Sequence, residues 1–243
     1  MAGAWVLALS PVQALAQSEL DLGSRIAVSR GELKQKEVQR VLAEFATCVI
    51  DKRRALASAF ILDRSIFRFD EKYGRLADGF CLEPTNALAP GITMKLDDEA
   101  MRYALAEAIL QDEIANIDPA KLSSAPPIAT PMVYDYSAVA KARDSKVDEK
   151  AVDEMRAAAL AKVIMYKFGD CTVRSAPLEV REFLQSAPGT SAEGAAIRAL
   201  NPALGSCLEK GAQVTLNRTR LRGALAVSYY SLAHAPPSAT SYR

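Results

Sequence analysis

Gly79-Phe80-Cys81-Leu82-Glu83 returns near the other end of the chain as Gly205-Ser206-Cys207-Leu208-Glu209. Each copy is followed by Gly-x-x-x-x-Leu, from Gly91 to Leu96 and from Gly211 to Leu216, then by a polar residue, Asp97 or Asn217. An Arg-x-Ala-Leu-Ala run follows from Arg102 and from Arg222, and Leu96 stands as far before Arg102 as Leu216 before Arg222, so the register is kept. Upstream, Phe45-x-x-Cys48 answers Phe168-x-x-Cys171. All 4 cysteines belong to this ordered set of matches, which points to a tandem duplication. The extra residues of the first copy, between Glu83 and Gly91, read as a loop insertion.

The 243 residues, 50% of them hydrophobic, are enough for one sizeable core or two smaller ones. Thirty basic against 29 acidic side chains leave a net charge of +1, which offers no field for nucleic acid, an anionic membrane or an acidic substrate. Residues 1–16 carry no charge and end in Ala14-Leu15-Ala16, the small-x-small pattern cleaved by signal peptidase. They are expected to be a signal peptide; the missing basic n-region points to a start inside a longer signal, and the competing reading is a short apolar helix buried in the fold. No other segment reaches the ~20 apolar residues of a bilayer span. A periplasmic or secreted location follows, with no membrane span after signal cleavage.

An even cysteine count in an exported chain reads as disulfides. Four cysteines allow three pairings, and duplication favours Cys48 with Cys81 and Cys171 with Cys207, separations of 33 and 36. Closing loops of that length is worth ~3.5–4 kcal/mol in the chain-entropy model. A zinc site or a redox-active pair would call for Cys-x-x-Cys spacing, which is absent.

Val38, Val41, Leu42, Phe45, Cys48 and Val49 recur at helical spacing, as do Ala161, Ile164, Met165, Phe168 and Cys171, so each cysteine starts from the buried face of a helix. Short helices are expected over 54–60 and 178–185, and a second pair over 70–76 and 192–200. Asp97 and Asn217 read as N-caps of closing helices whose apolar faces match, Met101, Ala104, Leu105, Ala108 and Ile109 against Leu221, Ala224, Leu225, Ser228 and Tyr229. Met94 with Leu96, and Val214 with Leu216, alternate as half-buried strands do, which permits a short two-stranded pairing between repeats. The expected organisation is a signal at 1–16, helical repeat 1 over 32–117, a Pro- and Ser-rich linker over 118–131, helical repeat 2 over 132–235 and a disordered tail over 236–243. The fold class is all-α, with two tandem homologous repeats, each holding an internal disulfide.

Candidate chemistry is sparse. The single histidine, His234, stands beside Pro236-Pro237, a poor place to hold an imidazole against a nucleophile. Glu83 with Arg102 and Glu209 with Arg222 are candidate structural ion pairs, because a guanidinium fork can pin a carboxylate-bearing loop to a helix. The same arginines could instead clamp an anionic ligand between repeats. Asp97-Asp98-Glu99 fits a helix start better than a metal or acid/base cluster, since the second copy has Asn217-Arg218-Thr219 there. Tyr229-Tyr230 and Tyr134-Asp135-Tyr136 could line a groove, although buried tyrosines are commoner. No phosphate loop, nucleophile elbow or dinucleotide fingerprint is present. No catalytic residue, metal or cofactor is assigned.

Through its Phe-x-x-Cys, Gly-x-Cys-Leu-Glu and Arg-x-Ala-Leu-Ala segments, over roughly 37–110 and 152–232, the chain resembles exported bacterial proteins with a duplicated two-cysteine helical repeat. The resemblance implies export and duplication and carries no activity or functional residue. It differs between copies at Arg102-Tyr103 against Arg222-Gly223, so the closing helices need not pack alike. The expected function is a non-enzymatic structural or interaction module whose partner is a protein or envelope component. The alternatives are a binder of a small molecule or cell-wall fragment between the repeats and a carboxylate-based hydrolase.

Overall fold

The structure is a computed structural model and describes residues 26–27, 35–64, 72–77, 81, 93–94, 97–128, 149–208 and 216–234. Helix α1 spans Gln35–Leu62, α2 Asp98–Glu113, α3 Pro119–Ser123, α4 Glu149–Ser175, α5 Pro177–Gln185, α6 Ser191–Cys207 and α7 Arg218–His234. Among the described residues the protein is all-α apart from a two-residue antiparallel pairing of β1 (Ile26–Ala27) with β2 (Thr93–Met94). Met94 thus takes its strand partner from the lead-in segment, where no strand was expected. Val214, its expected partner from the other repeat, lies outside the described residues, as do residues 1–16 and 236–243.

The apolar stripe of α1 goes inward as its spacing requires: Val41, Phe45, Val49 and Ile50 are all buried. Midway, Arg53 leaves helical geometry (φ −142°, ψ 34°) and kinks the helix. Ala176, as far beyond Cys171 as Arg53 is beyond Cys48, has φ −145° and ψ 59° and separates α4 from α5. Proline explains the second break, because Pro177 at the first position of α5 disfavours helical geometry in the residue before it. The first break has no proline. The path from Cys48 to Leu62 therefore bends where the path from Cys171 to Gln185 does.

Asp97 accepts from the Ala100 amide at 2.6 Å and Asn217 from the Arg220 amide at 2.8 Å, so α2 and α7 begin at the caps their sequence marks. Burial on these helices exceeds one face. Every residue of α7 from Leu221 to Leu232 is buried, because α1, α2, α3, α4 and α5 all pack on it. One apolar core runs through both halves of the chain, joining Phe45, Phe60 and Leu105 to Phe168, Phe183 and Leu225.

Part of the segment expected as a linker belongs to this core. Asp118 caps α3 by accepting from the Ala120 amide at 3.1 Å, Pro119 takes the first helical position, and Leu122 is buried. Arg174 of α4 then donates to the carbonyls of Ala125 and Pro126, both at 2.6 Å.

Cys48 is bonded to Cys81 and Cys171 to Cys207, with Cα–Cα distances of 5.7 and 5.6 Å. Replacing Cys48 and Cys81 together by serine should lower unfolding stability by about 2–4 kcal/mol in urea titrations. Because the core is continuous, the variant should still unfold in one transition. Two separated transitions would show that the halves fold independently.

Candidate functional site

The repeated arginines perform the same task in both halves. From α2, Arg102 donates to the carbonyls of Phe60, Ile61 (3.3 Å) and Asp63 (3.0 Å), and its guanidinium carbon lies 4.0 Å from the centre of the Phe60 ring. From α7, Arg222 donates to the carbonyls of Phe183 (3.0 Å), Leu184 (2.5 Å) and Ser186 (2.7 Å), with its carbon 5.3 Å from the Phe183 ring. The two targets match residue for residue in spacing. Each is the last turn of a helix, where carbonyls lack intrahelical partners and the helix dipole favours a cation. The arginines are 3% and 8% exposed, so their charge is offset by carbonyl oxygens and the face of an aromatic ring.

Their expected partners Glu83 and Glu209 lie outside the described residues. Sequence reasoning missed the actual targets. A signal existed: Phe60 follows Cys48 by the same interval as Phe183 follows Cys171.

At the seam between halves the correspondence ends. Arg222 also meets two carboxylates, Glu107 of α2 through Nε at 3.1 Å and Glu193 of α6 through Nη1 at 3.5 Å. Glu193 additionally accepts from the Gly189 amide at 2.8 Å and lies 3.7 Å from Arg218. Among the described residues Arg102 has no carboxylate partner. Burial pushes the Glu107 carboxyl up to about 7; Arg222 opposes the shift and Glu193 adds to it. Val227 occupies the position matching Glu107 in the second half, so comparison of the copies gave no hint of this group.

Beside this network the ring of Tyr103 packs against Gly223, and a Cβ on Gly223 would overlap it. The one mismatch within the repeated Arg-x-Ala-Leu-Ala runs is thus a large residue filling the space left by an absent side chain. The Tyr103 hydroxyl donates to Glu99, which also lies 3.5 Å from Arg220. Burial raises the Tyr103 phenol well above its usual range, and Glu99 adds to the shift. Asp97 is therefore occupied as a cap, and Glu99 as the acceptor for Tyr103 and an ion-pair partner of Arg220 across the seam. A further contact joins the halves: Arg64, just past α1, holds Asp170 of α4 in a two-pronged pair at 2.6 and 2.7 Å, with its guanidinium 4.8 Å from the Tyr166 ring centre.

His234 lies within the last turn of α7. Its Nε2 is 3.0 Å from Glu113, and its ring is 4.3 Å from that of Tyr230. Glu113 also takes Arg54, and the Tyr230 hydroxyl lies 2.7 Å from Ser58 Oγ. Tyr229 and Tyr230 are core residues, while Tyr134 and Tyr136 lie outside the described residues. Among the described residues no three His, Cys, Asp or Glu side chains converge as metal ligands, and no helix is long and apolar enough to cross a membrane. The chain matches no family model, and no curated protein or solved structure is significantly similar to it.

Lysine keeps the charge of arginine but lacks the planar guanidinium, whose two Nη atoms Arg222 divides among three carbonyls and whose flat face Arg102, bonding its carbonyls through Nη1, lays over the Phe60 ring. Arg102→Lys and Arg222→Lys should each cost about 2 kcal/mol in urea unfolding, and a loss under about 0.5 kcal/mol would mean that charge alone suffices. Gly223→Ala should cost about 2–3 kcal/mol through overpacking. Most of that loss should vanish in a Tyr103→Ala background; an unchanged penalty there would place the conflict elsewhere.

Proposed function

We propose that the chain is an exported, non-enzymatic structural or interaction module built by tandem duplication. The observation that carries this reading is the use made of its buried charge. The buried Arg102, Arg222 and Arg64 and the half-buried Arg174 are spent on helix-end carbonyls, a loop and two inter-half ion pairs, directing their polar capacity into the fold. A clamp for an anionic ligand needs guanidinium faces open to solvent, and arginines 3% and 8% exposed do not offer them. Matching kinks, disulfide spans and arginine targets support duplication. Two disulfides support an oxidising compartment, and hence a periplasmic or secreted location.

One observation favours the hydrolase alternative, since Glu107 and Glu193 converge and one of them is raised in the manner of a general acid. Both, however, are tied to one guanidinium, and Glu193 is 2% exposed, so a scissile bond has no room between them. The small-molecule reading needs a groove at the seam, where Tyr103 instead packs directly on Gly223.

Native mass spectrometry of protein purified from its own envelope or medium separates the readings. A stoichiometric protein partner, reproduced by crosslinking before lysis, is the expected result. A retained small-molecule adduct, or turnover of a glycoside panel that Glu107→Gln abolishes, would overturn it.

A further inference from the structure

The buried polar network at the seam contains one more negative charge than its buried cation can balance. Arg222 stands between two carboxylates while its Nη atoms also donate to the carbonyls at the end of α5, Nη1 being shared between Phe183 and Glu193. Glu193 is the better satisfied of the two, with Arg222, the Gly189 amide and Arg218 around it. Glu107 has a single hydrogen-bond partner among the described residues, Arg222 Nε. Its side chain remains 29% exposed, so protons can exchange with it without unfolding.

We propose that Glu107 makes the seam between α2 and α7 proton-sensitive, closed when its carboxyl is neutral and loosened when it ionises. An ionised Glu107 competes with Glu193 for one guanidinium and gains by opening toward water; a neutral one can stay buried and still accept from Arg222 Nε. The charged groups facing it are Arg222 of α7 and Glu193 of α6, the latter shared with Arg218 of α7. From α5 come only carbonyls, aimed at Arg222, and on α2 Tyr103 turns its hydroxyl to Glu99. No charged group of α1 or α4 acts on it among the described residues.

Burial raises this carboxyl from 4.5 to about 7, so the folded protein holds the proton more tightly than the unfolded chain. Glu107 therefore favours the folded state most below pH 4.5, and that contribution is lost as pH rises through 7. The seam tightens in mild acid.

A pH titration of the wild-type protein labelled with 13C at the glutamate carboxyls, followed by NMR, tests this directly. Glu107 should titrate with a midpoint above about 6, well apart from solvent-exposed glutamates near 4.3. Amide protection in α2 and α7, corrected for intrinsic exchange, should fall about tenfold between about pH 6 and 8. Glu107→Gln should flatten that fall, and Glu193→Gln should move the Glu107 midpoint down by removing the competing charge. A Glu107 midpoint in the ordinary range overturns the proposal, as does a protection profile whose slope is the same in wild type and Glu107→Gln. Should either variant fail to fold, the wild-type midpoint alone decides.

Discussion

A buried guanidinium that gathers the last carbonyls of a neighbouring helix is the constraint on which the rest of the structure depends. A helix end inside a protein leaves acceptors without partners, and each costs free energy if it finds none. Arg102 supplies donors to the carbonyls of Phe60, Ile61 and Asp63, and Arg222 to those of Leu184, Ser186 and Phe183, the last of which also accepts from the Ser186 amide and hydroxyl. Because each arginine comes from the helix that closes its half, the contact does more than satisfy carbonyls. It ties the closing helix to the segment beyond the break at Arg53 or Ala176, while the segment before the break carries the first cysteine of a disulfide. Staple and clasp thus act on opposite sides of the break, at Cys48 and Phe60 of α1 in one half and at Cys171 of α4 and Phe183 of α5 in the other.

Where the halves meet, likeness gives way to complementarity. Two equivalent helices that cross closely cannot both carry a large side chain at the crossing, and Tyr103 against Gly223 resolves that conflict by division of labour. Within the second half, Gly169 of α4 likewise leaves room for α7, since a Cβ there would run into Ser228. Polar contacts between halves are likewise unrepeated: Arg64 with Asp170, Arg220 with Glu99, and Arg222 with Glu107. The repeated residues hold each half together, and the unrepeated ones join the halves.

That division explains what could be read from the chain. The fold class, disulfide pairing, helix caps and cysteine-bearing helices follow from periodicity and from comparing one half with the other. Asp97 and Asn217 cap as expected because capping is local chemistry. The arginine targets were hidden because a backbone carbonyl leaves no side chain to recognise, and Phe60 and Phe183 marked them only by spacing. Glu107 was hidden for the opposite reason, having no counterpart to be compared with. Residues 118–128 misled through composition: prolines and serines read as a linker, although Asp118-Pro119 is itself a capped helix start. The strand partner of Met94 lay in a segment with too little pattern to single out Ile26.

The guanidinium protons of Arg102 and Arg222 report on the clasp without altering it. In 15N-resolved NMR of the native protein, both side chains should give individually resolved, slowly exchanging signals. Through-hydrogen-bond couplings should lead from Arg102 to the carbonyl carbons of Phe60, Ile61 and Asp63 and from Arg222 to those of Phe183, Leu184 and Ser186. Rapidly exchanging, rotationally averaged signals from either arginine would contradict the account, because a guanidinium in that state is holding no helix end.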